Sequence, residues 1–76
     1  MIQKTDFEAF AQSEGFKVLG WCPIINDTQL IVRVEGRGNR NKCKDWFDAQ
    51  PEATFVDAYE LTQPEVDNQV MIEVFL

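Results

Sequence analysis

The sequence contains no histidine among its 76 residues. Zinc sites with histidine ligands, Ser-His and Cys-His nucleophile pairs and histidine proton shuttles are therefore excluded. No carboxylate pair lies in a recognisable catalytic motif, and the acids do not follow the spacing of a calcium loop. We expect a protein that is not an enzyme and that uses no cofactor and no metal ion.

Cysteine is scarce: Cys22 and Cys43 are the only two, and neither lies in a CxxC spacing. No apolar run approaches the roughly 20 residues of a membrane helix, and segment 1–6 lacks the basic and apolar regions of a secretory signal. Without an export signal, two reduced and largely buried thiols are favoured over one disulfide. The sequence predicts a cytoplasmic protein with no membrane partner.

Basic residues are missing from the second part of the chain. All seven lysines and arginines lie at or before Lys44, where five acids leave a net charge of +2. From Asp45 onward there are eight acids and no base, which gives −8 and accounts for the overall charge of −6. Such asymmetry indicates a polarised surface that meets a charged partner.

The first half of the chain has the pattern of one helix and one hairpin. Thr5 and Glu8 have the spacing of a capping box, and Gly15 supplies a left-handed stop, which predicts a helix over about 6–14. Strands are predicted over 17–22 and 29–35 because aliphatic and β-branched residues recur there on both sides of a turn around Asn26-Asp27.

The second half repeats this order. Segment 36–41 is predicted to be a loop whose Asn39 or Asn41 caps a helix that Pro51 ends near Gln50. The helix should bury one stripe of side chains: Cys43, Trp46, Phe47 and Gln50. Two further strands are predicted over segments 54–61 and 69–75, which flank the polar segment 62–68.

The element order αββαββ predicts an α+β fold for one domain, residues 1–76. In the expected two-layer arrangement, two helices pack on one face of a four-stranded antiparallel sheet. The halves also align in part: Val18 matches Val56 at an offset of 38, and Val34 matches Val74 after two extra residues. Chance similarity and an internal αββ duplication both explain such a match, and the architecture does not depend on the choice.

Alternation along each strand divides the strand residues into two sets. One set is small or branched and suits packing beneath helices: Val18, Gly20, Cys22, Leu30, Val32, Val34, Val56, Ala58, Val70, Ile72 and Val74. The other set is predicted to face outward: Leu19, Trp21, Ile31, Arg33, Phe55, Asp57, Tyr59, Met71, Glu73 and Phe75. A shift of one residue in the first strand would exchange its two sets.

The outward set is more aromatic than a merely solvated face, and contiguous apolar patches usually mark an interface. The candidate protein-interface residues are Trp21, Phe55, Asp57, Tyr59, Met71, Glu73 and Phe75. The alternative is that termini or loops fold over this face. Asp57 and Glu73 would repel phosphates, so a protein with a basic surface, or a second copy of the chain, fits better than single-stranded nucleic acid.

A basic loop offers a second candidate site. Arg37, Arg40, Lys42 and Lys44 crowd the start of the second helix, where cations oppose the helix dipole. A glycine-containing loop, a helix N-terminus and arginines together favour an anion such as phosphate. The sequence there is not a Walker motif and not GxGxxG, so the alternative is a solvated loop balanced by the acidic half of the molecule.

These observations predict a small acidic protein-binding module that inhibits or masks its partner. Short, acidic, motif-free chains are common among phage and mobile-element proteins that block host machinery handling nucleic acids. Two alternatives stay open: a nucleic-acid or phosphate binder that uses the basic loop 37–44, and a structural homodimer. The acidic half itself has three explanations: a solubilising surface, a docking surface for a basic protein, or spaced charges that imitate a nucleic-acid backbone.

Overall fold

A computed structural model describes residues 2–76, which form two α-helices and four strands. Their bounds are α1 Lys4–Glu14, β1 Val18–Ile24, β2 Gln29–Glu35, α2 Arg40–Asp48, β3 Phe55–Leu61 and β4 Gln69–Phe75, with short 3₁₀ turns at Arg37–Asn39 and Pro64–Val66. The strands pair in the order β1-β2-β4-β3, and every pairing is antiparallel. The predicted α+β fold with the element order αββαββ is confirmed.

Both helices pack on one face of the sheet, which we call the helix side. Phe7 of α1 and Phe47 of α2 are fully buried, and their ring centroids lie 4.8 Å apart. Beneath them lie the alternate residues of the strands: Leu30, Val32, Val34, Val56, Ala58, Val70, Ile72 and Val74. Period-3.6 stripes on the helices and period-2 alternation on the strands thus meet in a single core.

The helix ends differ in part from the prediction. Helix α1 begins at Lys4, and Gln3 occupies the N-cap position without a side-chain capping bond, so the predicted capping box at Thr5 is wrong. Gly15 ends the helix with φ of 83°, as predicted. Asn39 holds the N-cap position of α2, but its side-chain amide donates to the backbone oxygen of Glu35 at 3.0 Å instead of capping the helix.

Strand β1 is present, but the predicted faces of Gly20, Trp21 and Cys22 are wrong because the strand contains a bulge. Val18 faces Val34 in the register, whereas Gly20 faces Arg33 and Trp21 faces Val32, so one extra residue lies between Val18 and Gly20. A bulge of this kind resets the alternation of side chains. Gly20 and Cys22 therefore lie on the face opposite the helices, and Trp21 lies on the helix side. The predicted sets for β2, β3 and β4 match the observed burial.

The two αββ halves are arranged about the centre of the sheet. Strands β2 and β4 are its middle strands, they show the same alternation of burial, and Val32 faces Ile72 between them. This is the arrangement that a duplication would give. The duplication itself stays a prediction, because packing two similar units on one sheet requires no common origin.

Candidate functional site: the outer face of the sheet

The face opposite the helices, which we call the outer face, is built from rows of side chains that cross the strands. The first row runs from Phe55 through Phe75 to Gln29. The second row contains Asp57, Glu73, Ile31 and Cys22, and the third contains Tyr59, Met71, Arg33 and Gly20. Six of the seven residues predicted for a protein interface lie in these rows.

Three aromatic side chains on the outer face are accessible to solvent. Phe55 is 60% exposed, Tyr59 39% and Phe75 36%. Phe55 and Phe75 face each other across β3 and β4 with ring centroids 5.7 Å apart. The Phe55–Phe75 pair and Tyr59 lie on either side of the row that holds Asp57 and Glu73, and together they offer apolar contact area that the chain itself does not fully cover.

Two carboxylates lie side by side in the middle row. Asp57 on β3 is directly opposite Glu73 on β4, and like charges in that position destabilise a sheet. The Glu73 carboxylate accepts a hydrogen bond from the Gln29 side chain at 3.4 Å. Burial, followed by the negative charge of Glu73, a hydrogen bond from the phenol to Glu73 and the negative charge of Asp57, raises the pKa of Tyr59. The centre of the face is therefore a site of negative potential that would favour a cation.

Two buried polar atoms also lie under this face. Within residues 2–76, the Nε of Arg33 and the Oε1 of Gln69 have no hydrogen-bond partner although both atoms are buried. Both side chains belong to the outward-facing sets of β2 and β4. Arg33 is paired with Met71, and Gln69 is two residues before Met71 on β4. A buried polar atom without a partner costs about 1–3 kcal/mol. Both atoms therefore raise the free energy of the folded chain, and neither is accessible to a molecule on the outer face.

Trp21 is not part of the outer face, so its assignment as an interface residue there is corrected. Its ring centroid lies 5.9 Å from that of Phe7 and 6.1 Å from that of Phe47, on the helix side. The bulge in β1 is the cause, and a glycine inside a strand pattern, here Gly20, is a sequence signal for such a bulge. Cys22 takes a place on the outer face instead, as an exposed free thiol, whereas Cys43 is free and buried. The expectation that both thiols are buried is wrong for Cys22.

The basic loop has a different character, because each of its four cations contacts a partner in the same chain. Arg37 pairs with Asp67, Lys42 with Glu14 at 3.1 Å, and Lys44 with Asp48 at 2.6 Å. Arg40 donates to the backbone oxygen of Ala58 on edge strand β3 at 3.0 Å. These contacts fit the interpretation of a basic loop balanced by the chain's own acids. The arrangement brings no two of the four cations onto a shared acceptor.

Residues 2–76 contain no cluster of three or more cysteine, aspartate or glutamate side chains that could hold a metal ion. None of the helices in this described part of the chain is long and apolar enough to cross a membrane.

Comparison of the chain with models of protein families, with curated proteins and with solved structures finds no match in any of the three.

Proposed function

We propose that this protein is a non-enzymatic protein-binding module that docks its outer face on a basic surface of another protein and masks that surface. The observation that carries the proposal is the opposed pair Asp57 and Glu73, set among the exposed rings of Phe55, Tyr59 and Phe75. In the free protein the pair is unfavourable. A lysine or arginine of a partner placed between the two carboxylates would turn repulsion into attraction.

The aromatic rings and the carboxylates would have separate roles in such a complex. Aromatic side chains at the centre of an interface supply most of the binding free energy because their large apolar area leaves water. Charged groups select the partner and raise the association rate, which is the role we assign to Asp57 and Glu73.

Proteins that handle nucleic acids present basic surfaces of the kind that this face would recognise. A small acidic protein that covers such a surface would act as an inhibitor without any chemical step. We place this activity in the cytoplasm, where a reducing environment keeps an exposed thiol such as Cys22 free. Direct binding of nucleic acid is disfavoured, since the carboxylates of the outer face repel phosphates and the loop cations already contact the chain's own acceptors.

The experiment is a capture from cell lysate at moderate salt, followed by titration of the purified captured protein. Wild type is compared with Asp57→Asn/Glu73→Gln and with the control Glu8→Gln/Asp45→Asn. The control makes the same charge change at exposed positions of the helices. We expect a basic protein that wild type and the control bind equally and the outer-face variant binds at least about tenfold more weakly.

Three results would contradict the proposal. Equal binding by both double variants would remove the outer face from the interface. If the protein captures only nucleic acid, and this binding weakens steeply as salt rises, the basic loop would be favoured as the binding site. A stable dimer in light scattering that captures nothing, and that Tyr59→Ala/Phe75→Ala converts to a monomer, would assign the face to self-association.

A further inference from the structure

A second candidate site lies at one end of the molecule, outside the outer face. A cleft of about 500 Å³ opens there between the sheet and the segments that enter α1 and leave α2. Its lining consists of Ile2, Trp21, Pro23, Asp27, Leu30, Glu52 and Leu76. A volume of this size is within the range of roughly 300–1,000 Å³ that is typical of small-molecule sites.

Two local features of the chain shape the cleft. The bulge in β1 turns the indole of Trp21 to the helix side, where the ring forms one wall beside the Phe7–Phe47 cluster. The turn that follows β1 holds three successive residues in the left-handed region, Ile25, Asn26 and Asp27, with φ of 55°, 54° and 63°. A β-branched residue such as Ile25 is strained there by roughly 1–2 kcal/mol. This turn carries Asp27 to the cleft.

Asp27 supplies the negative charge on which the cleft depends. The other acid of the lining, Glu52, already has a hydrogen-bonded positive group of the chain beside it, which lowers its pKa, and the remaining five lining side chains are uncharged. Within residues 2–76, Asp27 makes no ion pair with a lysine or arginine. The remaining walls are an indole ring and aliphatic side chains. An indole face and a carboxylate are the two groups that attract an organic cation most strongly.

We propose that this cleft binds a small organic cation with an apolar body, such as an aryl-alkyl ammonium. The apolar part would lie against Leu30, Pro23 and Trp21, and the cationic head would lie near the carboxylate of Asp27. This site is independent of the proposed docking of the outer face, because no residue that we assign to one belongs to the other.

The test uses two probes that share an apolar body and differ in charge, 4-phenylbutylammonium and 4-phenylbutanol. Binding is followed by ¹H–¹⁵N NMR, in which the indole N–H of Trp21 reports on the cleft and that of Trp46 serves as an internal reference outside it. We expect the ammonium to shift Trp21 and its neighbours at lower concentration than the alcohol does. Asp27→Asn should weaken the ammonium about two- to fivefold and leave the alcohol unchanged.

Asn tolerates the left-handed conformation, so Asp27→Asn should preserve the turn. Asp45→Asn is the matched control, since it removes one exposed charge away from the cleft. Equal affinity of the two probes, an equal loss in both variants, or shifts confined to residues outside the cleft would each overturn the proposal. None of these results would bear on the docking of the outer face, which the capture experiment tests separately.

Discussion

The two faces of the sheet use the same strands for different purposes. On the helix side, Val32, Ile72 and Phe47 are fully buried and uncharged. On the outer face, one residue away along β3 and β4, the side chains are exposed rings and an opposed pair of acids. The helix side supplies the stability of the fold. The outer face is costly in the free chain, which is the expected pattern for a surface whose composition is set by a partner.

The largest expected difference between the faces concerns stability. Phe47→Ala should lower the free energy of unfolding by about 3–5 kcal/mol because it opens a cavity under both helices. Phe55→Ala removes a ring that is already 60% exposed and should cost less than about 1 kcal/mol. Guanidinium unfolding monitored by circular dichroism measures both variants. Similar losses would mean that the outer face is part of the core.

The next comparison tests the bulge in β1. Trp21→Ala should cost about 2–3 kcal/mol, since the ring packs on the Phe7–Phe47 cluster while remaining partly exposed. Tyr59→Ala removes a ring from the outer face of the other edge strand, β3, and should cost less than about 1 kcal/mol. The same unfolding assay applies. If Trp21→Ala is the milder of the two variants, the register of β1 is wrong and Trp21 belongs on the outer face.

Alkaline pH should lower the stability of the fold mainly through Cys43, which is buried on the helix side. Burial raises the pKa of Cys43 from 9.0 to about 12, so its neutral form is favoured in the folded state. The resulting stability is fully present below pH 9 and is lost as the pH rises toward 12, by up to about 1.4 kcal/mol per pH unit. Tyr59, whose pKa is also raised, adds a loss of the same sign above pH 10.

Unfolding experiments at successive pH values separate these contributions. Cys43→Ala should flatten the decline between pH 9 and 10, whereas Cys22→Ser, which changes the exposed thiol, should leave it unaltered. An unchanged slope in Cys43→Ala would show that another group titrates there.

The smallest expected effect is a gain in stability on the outer face. Asp57→Asn removes one member of the like-charged pair and should raise the free energy of unfolding by about 0.2–1 kcal/mol. It should also lower the pKa of Tyr59, because the charge of Asp57 contributes to the upward shift. Urea unfolding and ultraviolet titration of the phenol measure the two changes. A loss of stability would mean that the carboxylate is already compensated within the chain.

The sequence predicts most of this fold because its patterns are local. Strands β2 and β4 begin and end where their alternation begins and ends, and Gly15 stops α1 as its free left-handed conformation requires. The predicted face of Trp21 was wrong because a bulge depends on how β1 pairs with β2. Gly20, a glycine inside a strand pattern, was the one local signal of that bulge. The start of α1 was misplaced because Thr5 satisfied a capping pattern that the chain does not use.

The candidate site was predictable only in part, because it also depends on how the strands pair. Alternation placed Phe55, Tyr59 and Phe75 on one face, but the direct opposition of Asp57 and Glu73 depends on the register of β3 and β4, which no local pattern encodes. The cleft beside Asp27 was not predictable at all. It requires the bulge, the left-handed turn and two chain segments distant in sequence to meet.

The most direct test of the docking proposal uses the two thiols as they are. At neutral pH a polyethylene glycol maleimide should modify exposed Cys22 and spare buried Cys43, whose raised pKa keeps it protonated. This places a bulky chain on the outer face, and Cys22→Ser/Asp45→Cys places the same chain on helix α2. Affinity for the captured basic protein is then measured. Binding lost in the first conjugate and kept in the second is predicted; equal binding by both conjugates would contradict a docking role for the outer face.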